Sequence, residues 1–150
     1  MSNKRQLIPA AGLLGTIAIA VYMVIQLNAQ TSTPTHDYRN ATMAEVRDAQ
    51  GQVVLRGQFV QSDEQDDDIE RKATLEPTGV DGDAAGEAEV EFSTATPAEQ
   101  ELEFSIRNVQ PGAVFVFAID GHQVATATAD RRGRVELDLE PGKPGVRGGQ

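Results

Sequence analysis

Two stretches of the chain alternate strictly between apolar and polar side chains. Ala88, Val90 and Phe92 are interleaved with Glu87, Glu89 and Glu91, and Leu102, Phe104 and Ile106 with Glu101, Glu103 and Ser105. A period of two, with one apolar and one charged face, predicts a half-exposed antiparallel hairpin. A third stretch, Val114-Phe115-Val116-Phe117-Ala118-Ile119, is apolar throughout and mostly β-branched or aromatic. It predicts a central strand covered on both faces. Asp120-Gly121 follows, and both residues tolerate the positive φ that a type I′ hairpin turn requires. With these two as the loop, Ile119 pairs with His122, Phe117 with Val124 and Phe115 with Thr126. The aromatic rings then share one face, and Val114, Val116, Ala118, Ala125 and Ala127 the other.

One spacing occurs at three places: Asp48-x-x-Gly51-x-Val53-x-Leu55, Asp83-x-x-Gly86-x-Ala88-x-Val90 and Asp130-x-x-Gly133-x-Val135-x-Leu137. The intervals between copies are unequal and nothing outside the turn matches, so one kind of turn used three times is expected rather than an internal repeat. Strands are expected over residues 44–47 and 52–60, on either side of the first turn. The competing local reading is a short helix over 43–50 with Thr42 as its N-cap. Residues 71–76 predict a short edge strand, ended by Pro77-Thr78-Gly79. About seven or eight strands separated by turn signals fit an antiparallel sandwich or a partly open barrel. The expected fold is all-β, an antiparallel seven- to eight-stranded β-sandwich over residues 43–140, immunoglobulin-like or chordin-like.

The front of the chain has a different texture. Residues 1–6 hold Lys4 and Arg5 and no acid, and residues 7–25 are apolar apart from Pro9, two glycines and Thr16. At 1.5 Å per residue such a run spans about 28 Å, close to the roughly 30 Å of a hydrocarbon core. It is longer than the apolar region of a cleaved signal, and Leu27-Asn28-Ala29 lacks a small residue at its first position. Residues 1–6 are therefore expected to be cytoplasmic, 7–27 to be a single transmembrane signal-anchor and 28–42 a stalk. The basic residues keep the N-terminus inside and export the remainder, and a cleaved secreted form is the alternative. Residues 141–150, which begin Pro-Gly-Lys-Pro-Gly, are expected to form a disordered tail.

All 23 acidic residues but only 11 of the 13 basic ones follow residue 36, which leaves that part of the chain at −12. A charge of this sign repels phosphate backbones and argues against nucleic-acid binding. The chain has no cysteine, which excludes disulfides and thiolate metal sites and suits a protein of the bacterial envelope.

Candidate chemistry is sparse. His122 has Asp120 near it in sequence, and Ser105 or a threonine could approach it, but residues at such a turn are polar because they face water, so catalysis is not expected. His36 and His122 are far apart in sequence and too few for a zinc site. The acidic residues carry more content. Glu87, Glu89 and Glu91 lie near Glu101 and Glu103 if their strands pair, a repulsion that Arg107, Arg134, a cation or solvent must offset. Asp63, Asp66, Asp67 and Asp68, with Asp81 and Asp83, are the oxygen ligands that Ca²⁺ prefers, although the sixth position of a loop begun at Asp63 is Asp68 where an EF-hand needs glycine. Ca²⁺ is the one cofactor these residues suggest, and no other is expected.

Residues 72–92, KATLEPTGVDGDAAGEAEVEF, and residues 101–139 resemble the exported bacterial β-domains related to the chordin-type (CHRD) domain. The shared features are a Thr-Gly followed by an acidic Ala/Gly turn, an alternating strand, a Pro-Gly turn, a strand ending in Asp-Gly, and a Thr-rich return strand. Many chordin-type domains carry a His-x-His run near the end of the central strand, where this chain has Phe117-Ala118-Ile119, so any ligand role of those histidines does not carry over. The resemblance implies an extracytoplasmic binding or structural module. The expected function is accordingly a non-catalytic, membrane-anchored β-domain of the envelope, with the membrane and a protein of basic surface as candidate partners. The alternatives are a Ca²⁺-dependent adhesion or interaction module and, more weakly, an exported hydrolase.

Overall fold

The computed structural model describes residues 36–62, 68–93 and 100–140. The expected anchor over 7–27, the first part of the stalk and the tail over 141–150 lie outside the described residues. Among the described residues no helix is long and apolar enough to cross a membrane.

Nine strands are described, all paired antiparallel: β1 (Met43–Arg47), β2 (Val53–Gln58), β3 (Val60–Gln61), β4 (Asp68–Pro77), β5 (Ala85–Ser93), β6 (Gln100–Arg107), β7 (Val114–Ile119), β8 (His122–Thr128) and β9 (Val135–Leu139). They run in the order β8-β7-β1-β2-β4-β5-β6-β9, with β3 paired to β4 beside that path. The terminal strands β8 and β9 approach each other without pairing, so the sheet is barrel-like and nearly closed. Val46, Leu55, Leu75, Val90, Leu102, Phe104, Ile106, Phe117 and Ile119 fill the interior. Across it the Phe104 and Phe117 rings meet edge to face, with centroids 5.2 Å apart.

The two alternating stretches pair as expected, Ala88 opposite Phe104 and Val90 opposite Leu102. Residues 43–47 are strand and not helix. The β7–β8 hairpin has its predicted turn, with φ of 48° at Asp120 and 81° at Gly121, and Ile119 does pair with His122. Beyond that the expected register fails. Val124 is an extra residue in β8, so Phe117 pairs with Ala125 and Phe115 with Ala127. A bulge moves the following side chains to the other face. Here it places two small alanines beside two large rings and sets Thr126 opposite Val116. β7 lies between β8 and β1, with Phe115, Phe117 and Ile119 buried on one face; its other face is covered in part, Ala118 being buried while Val114 and Val116 are half-buried.

Of the three Asp-x-x-Gly sites, two are the same turn. Asp48 Oδ1 accepts from the amides of Gln50 at 2.9 Å and Gln52 at 2.8 Å, and Asp130 Oδ1 accepts from Arg132 at 2.8 Å and Arg134 at 2.9 Å. Gly51 and Gly133 take the left-handed conformation that closes each turn. The third site is built differently: Asp83 ends the β4–β5 turn, and its glycine is already in the strand. Gly86 lies within β5, where a Cβ would come 2.5 Å from the Ser105 carbonyl oxygen, so glycine is needed there for a close backbone approach.

Two further expectations are corrected. β4 is the longest strand and is not an edge, since β2 and β3 flank it on one side and β5 on the other. Residues 36–42, assigned to the stalk, pack onto one end of the barrel. Tyr38 and Ala41 are buried there. The Gln100 side chain accepts from the Tyr38 amide at 2.6 Å and donates to the His36 carbonyl at 3.1 Å. Asp120 completes the attachment: its carboxylate accepts from Thr42 Oγ1 at 2.6 Å, from the Met43 amide at 2.9 Å and from the Thr42 amide at 3.1 Å.

Candidate functional site

The outward face of β5, β6 and β9 gathers carboxylates because each strand alternates acid with apolar residue and the registers align the acids. Glu89 faces Glu103, Glu91 faces Glu101, Glu103 faces Asp138 and Ser105 faces Glu136. One carboxylate oxygen from each of Glu101, Glu103 and Asp138 lies within 4.8 Å of the other two. A depression of about 280 Å³ runs alongside, rimmed by Glu87, Glu89, Glu103, Glu136 and Asp138. Like charges directly opposite in a ladder cost roughly 0.2–1 kcal/mol per pair.

The electrostatics of this face follow from that crowding. Partial burial, then the neighbouring Glu70 carboxylate, push the Glu89 carboxyl up to about 7, with Lys72 acting in the opposite direction. Glu70 is held below its ordinary value by the hydrogen bond from Glu89 and by Lys72. Burial also raises Glu101, helped by the charges of Asp138, Glu140, Glu103 and Glu91. Asp138 Oδ1 is shut off from water without a hydrogen-bond partner. The cation that reaches the face is Lys72, paired with Glu70 and 3.8 Å from Glu89. Arg107 and Arg134, two of the groups expected to offset these charges, form no ion pair among the described residues: Arg107 ends the outward face of β6 opposite Ala85, and Arg134 belongs to the Asp130 turn.

Of the Ca²⁺ candidates only Asp81 and Asp83 have described side chains, and neither belongs to this cluster. Asp63, Asp66 and Asp67 lie outside the described residues, and Asp68 is described only as backbone, opposite Ser93. Asp81 and Asp83 belong to the β4–β5 turn, where the Asp81 carbonyl accepts from the Ala84 amide and the Asp83 carbonyl from Asn108 Nδ2. The acids the structure does bring together include Glu136 and Asp138. They carry a signal in the sequence, since Val135, Leu137 and Leu139 alternate with them as regularly as the residues of β5 do.

The histidines are not distant. His36 and His122 stack with ring centroids 4.1 Å apart, and His36 also faces Tyr38 at 5.7 Å. Asp120 does not orient His122, because its carboxylate is engaged by Thr42 and Met43. Ser105 is on β6, opposite Glu87 and Glu136, whereas His122 begins β8. No protein-family model, no curated protein and no solved structure matches the chain.

Proposed function

We propose that this chain is a non-catalytic domain of the cell envelope, tethered by residues 7–27 and displayed outside the membrane, and that it binds through the acidic face of β5, β6 and β9. The observation that carries the binding role is the three-strand ladder of like charge ending in the Glu101, Glu103 and Asp138 cluster. Such a face lowers stability and contributes nothing to the core, which gives it the character of a surface for a partner with basic side chains. The tether rests on the apolar run after Lys4 and Arg5. The finer architecture proposed is a sandwich of two packed sheets, immunoglobulin-like or chordin-like. In its favour are the two residue pairs that alone join β2 to β4, the open β8–β9 side, and the Phe104–Phe117 contact between the halves.

Protease added to intact cells making the full chain tests the placement. Digestion of the domain without lysis is the expected result, and protection until lysis refutes it. A second reading, a Ca²⁺-dependent interaction module, is favoured by the three converging carboxylates. Thermal melts with Ca²⁺, with chelator and with matched NaCl separate the two. A site filled to about 100 times its dissociation constant adds about 2.7 kcal/mol, which moves the melting temperature of a domain this size by well over 5 °C. A partner-binding face gives no shift beyond the salt control.

A further inference from the structure

At the barrel end covered by residues 36–42, a cation stands where the alternation of β4 calls for an apolar side chain. Ile69, Arg71, Ala73 and Leu75 share the inward face, with Ala73 and Leu75 fully buried and Arg71 half-buried inside the rim. Arg71 Nη1 donates to the Ala41 carbonyl at 3.1 Å, while Nε is cut off from water and has no hydrogen-bond partner. No ion pair reaches this guanidinium among the described residues. In a chain with 23 acidic residues against 13 basic ones, counter-charges are abundant, yet among the described residues none is paired with this cation. A charge withdrawn from water and not paired is costly, and the cost is removed when an anion arrives.

The space beside Arg71 is suited to receive one. A depression of about 460 Å³ opens there, within the range of small-molecule sites, and barrel mouths are a common place for them. Ile69 and the buried Phe92 supply an apolar wall, and Asn40 and Gln61 supply amides. Arg39 stands at the rim with its charge already matched by Asp37, to which its Nε donates at 2.9 Å. Among the described residues one positive charge therefore remains without an ion pair, beside apolar surface. Nη1 is already engaged and Nε is shut off from solvent, which leaves Nη2 as the N–H group that meets the head of an anion with a charge-assisted hydrogen bond.

We propose that this mouth binds a small amphiphilic monoanion, its carboxylate or phosphate head on Arg71 and its apolar body against Ile69 and Phe92. The site is separate from the acidic outer face, and the proposal holds on whichever side of a membrane the domain sits.

The test uses the full chain in phosphatidylcholine nanodiscs, titrated with carboxyl-labelled octanoate and followed by the ¹³C resonance of the label. Octyl phosphate tests the other head, octanamide removes the charge and acetate removes the body. Saturable binding of octanoate or octyl phosphate is expected, with octanamide and acetate weaker by about tenfold or more, the loss that goes with one charge-assisted hydrogen bond. The tighter of the two anions identifies the head. R71Q loses binding by a similar factor and R71K less, while R132Q, in the Asp130 turn away from this depression, stays within about twofold of the parent. Equal binding of octanamide and octanoate, unchanged binding in a folded R71Q, or no saturation by about 10 mM overturns the proposal. Should R71Q not fold, the comparison of octanoate with octanamide on the unaltered chain decides alone.

Discussion

Replacing Asp120 by alanine separates two tasks carried by one residue. Its backbone holds φ at 48° in the β7–β8 turn, and its carboxylate accepts three hydrogen bonds from Thr42 and Met43. Placing alanine in the left-handed region costs about 1 kcal/mol, and each lost hydrogen bond contributes roughly 0.5–1.5 kcal/mol. The three bonds share one carboxylate at the surface and do not add fully, so D120A is expected to destabilise by about 3 kcal/mol. D120G removes the bonds and keeps the turn, for a loss of about 2 kcal/mol, whereas D120N keeps the turn and one neutral acceptor, for about 1 kcal/mol. Urea unfolding of residues 31–150 followed by far-ultraviolet circular dichroism gives all three values, and amide exchange at Thr42 and Met43 reports the attachment directly. If D120A falls within about 0.5 kcal/mol of the parent, the attachment of residues 36–42 through this carboxylate contributes nothing and the reasoning is refuted.

Phe117→Ala empties a fully buried site and breaks the contact with Phe104, so a loss of about 3–5 kcal/mol is expected in the same unfolding experiment; less than about 1 kcal/mol would remove Phe117 from the core. Gly57→Ala puts a Cβ 2.2 Å from the Thr74 carbonyl oxygen, where β2 crosses close to β4, and should either prevent folding or lower the melting temperature by about 10 °C or more. Because Glu89 is raised from 4.5 to about 7 on folding, the folded state binds the extra proton between those values. Its contribution to stability therefore falls as pH rises from 4.5 to 7, and Glu101 acts in the same direction. Melting temperatures across that range should decline for the parent and decline less for Glu89→Gln, and an equal slope in both would exclude Glu89 as the source.

Where short-range chemistry decided the structure, the sequence was readable. The β5–β6 hairpin followed from strict alternation, the β7–β8 turn from Asp-Gly, and two of the three Asp-x-x-Gly sites from a side chain that bonds amides two and four residues on. The bulge at Val124 was hidden because Val124, Ala125 and Ala127 are all small enough for the interior, so hydrophobicity could not choose between registers. Arg71 masked the inward face of β4 by interrupting Ile69, Ala73 and Leu75, and an interior strand looked like an edge. Tyr38 and Ala41 lie in a polar segment with no period, and the segment is tied down by Gln100, 62 residues away from Tyr38. The carboxylate cluster was half visible: the acids of β5 and β6 were set side by side, and Glu136 and Asp138 were missed because the partner of β9 cannot be read from β9. The stacking of His36 on His122 depends on the same long-range attachment.

The place of β1 in the strand order has a consequence for how the chain reaches this structure. Of the described strands the first to be made is an interior one, and its second neighbour is β7, with Ala44 opposite Ile119. During synthesis, or threading through a translocation channel, β1 has β2 available early but waits some 70 residues for its other side. Until then one edge of β1 is an open template for any extended chain nearby. Pairings of such sequence separation close slowly, and the interval before closure is when an all-β protein is most exposed to aggregation. The β3–β4–β5–β6 hairpins, being local, can assemble while β1 waits. The arrival of β7 is then the event that commits the chain to its fold.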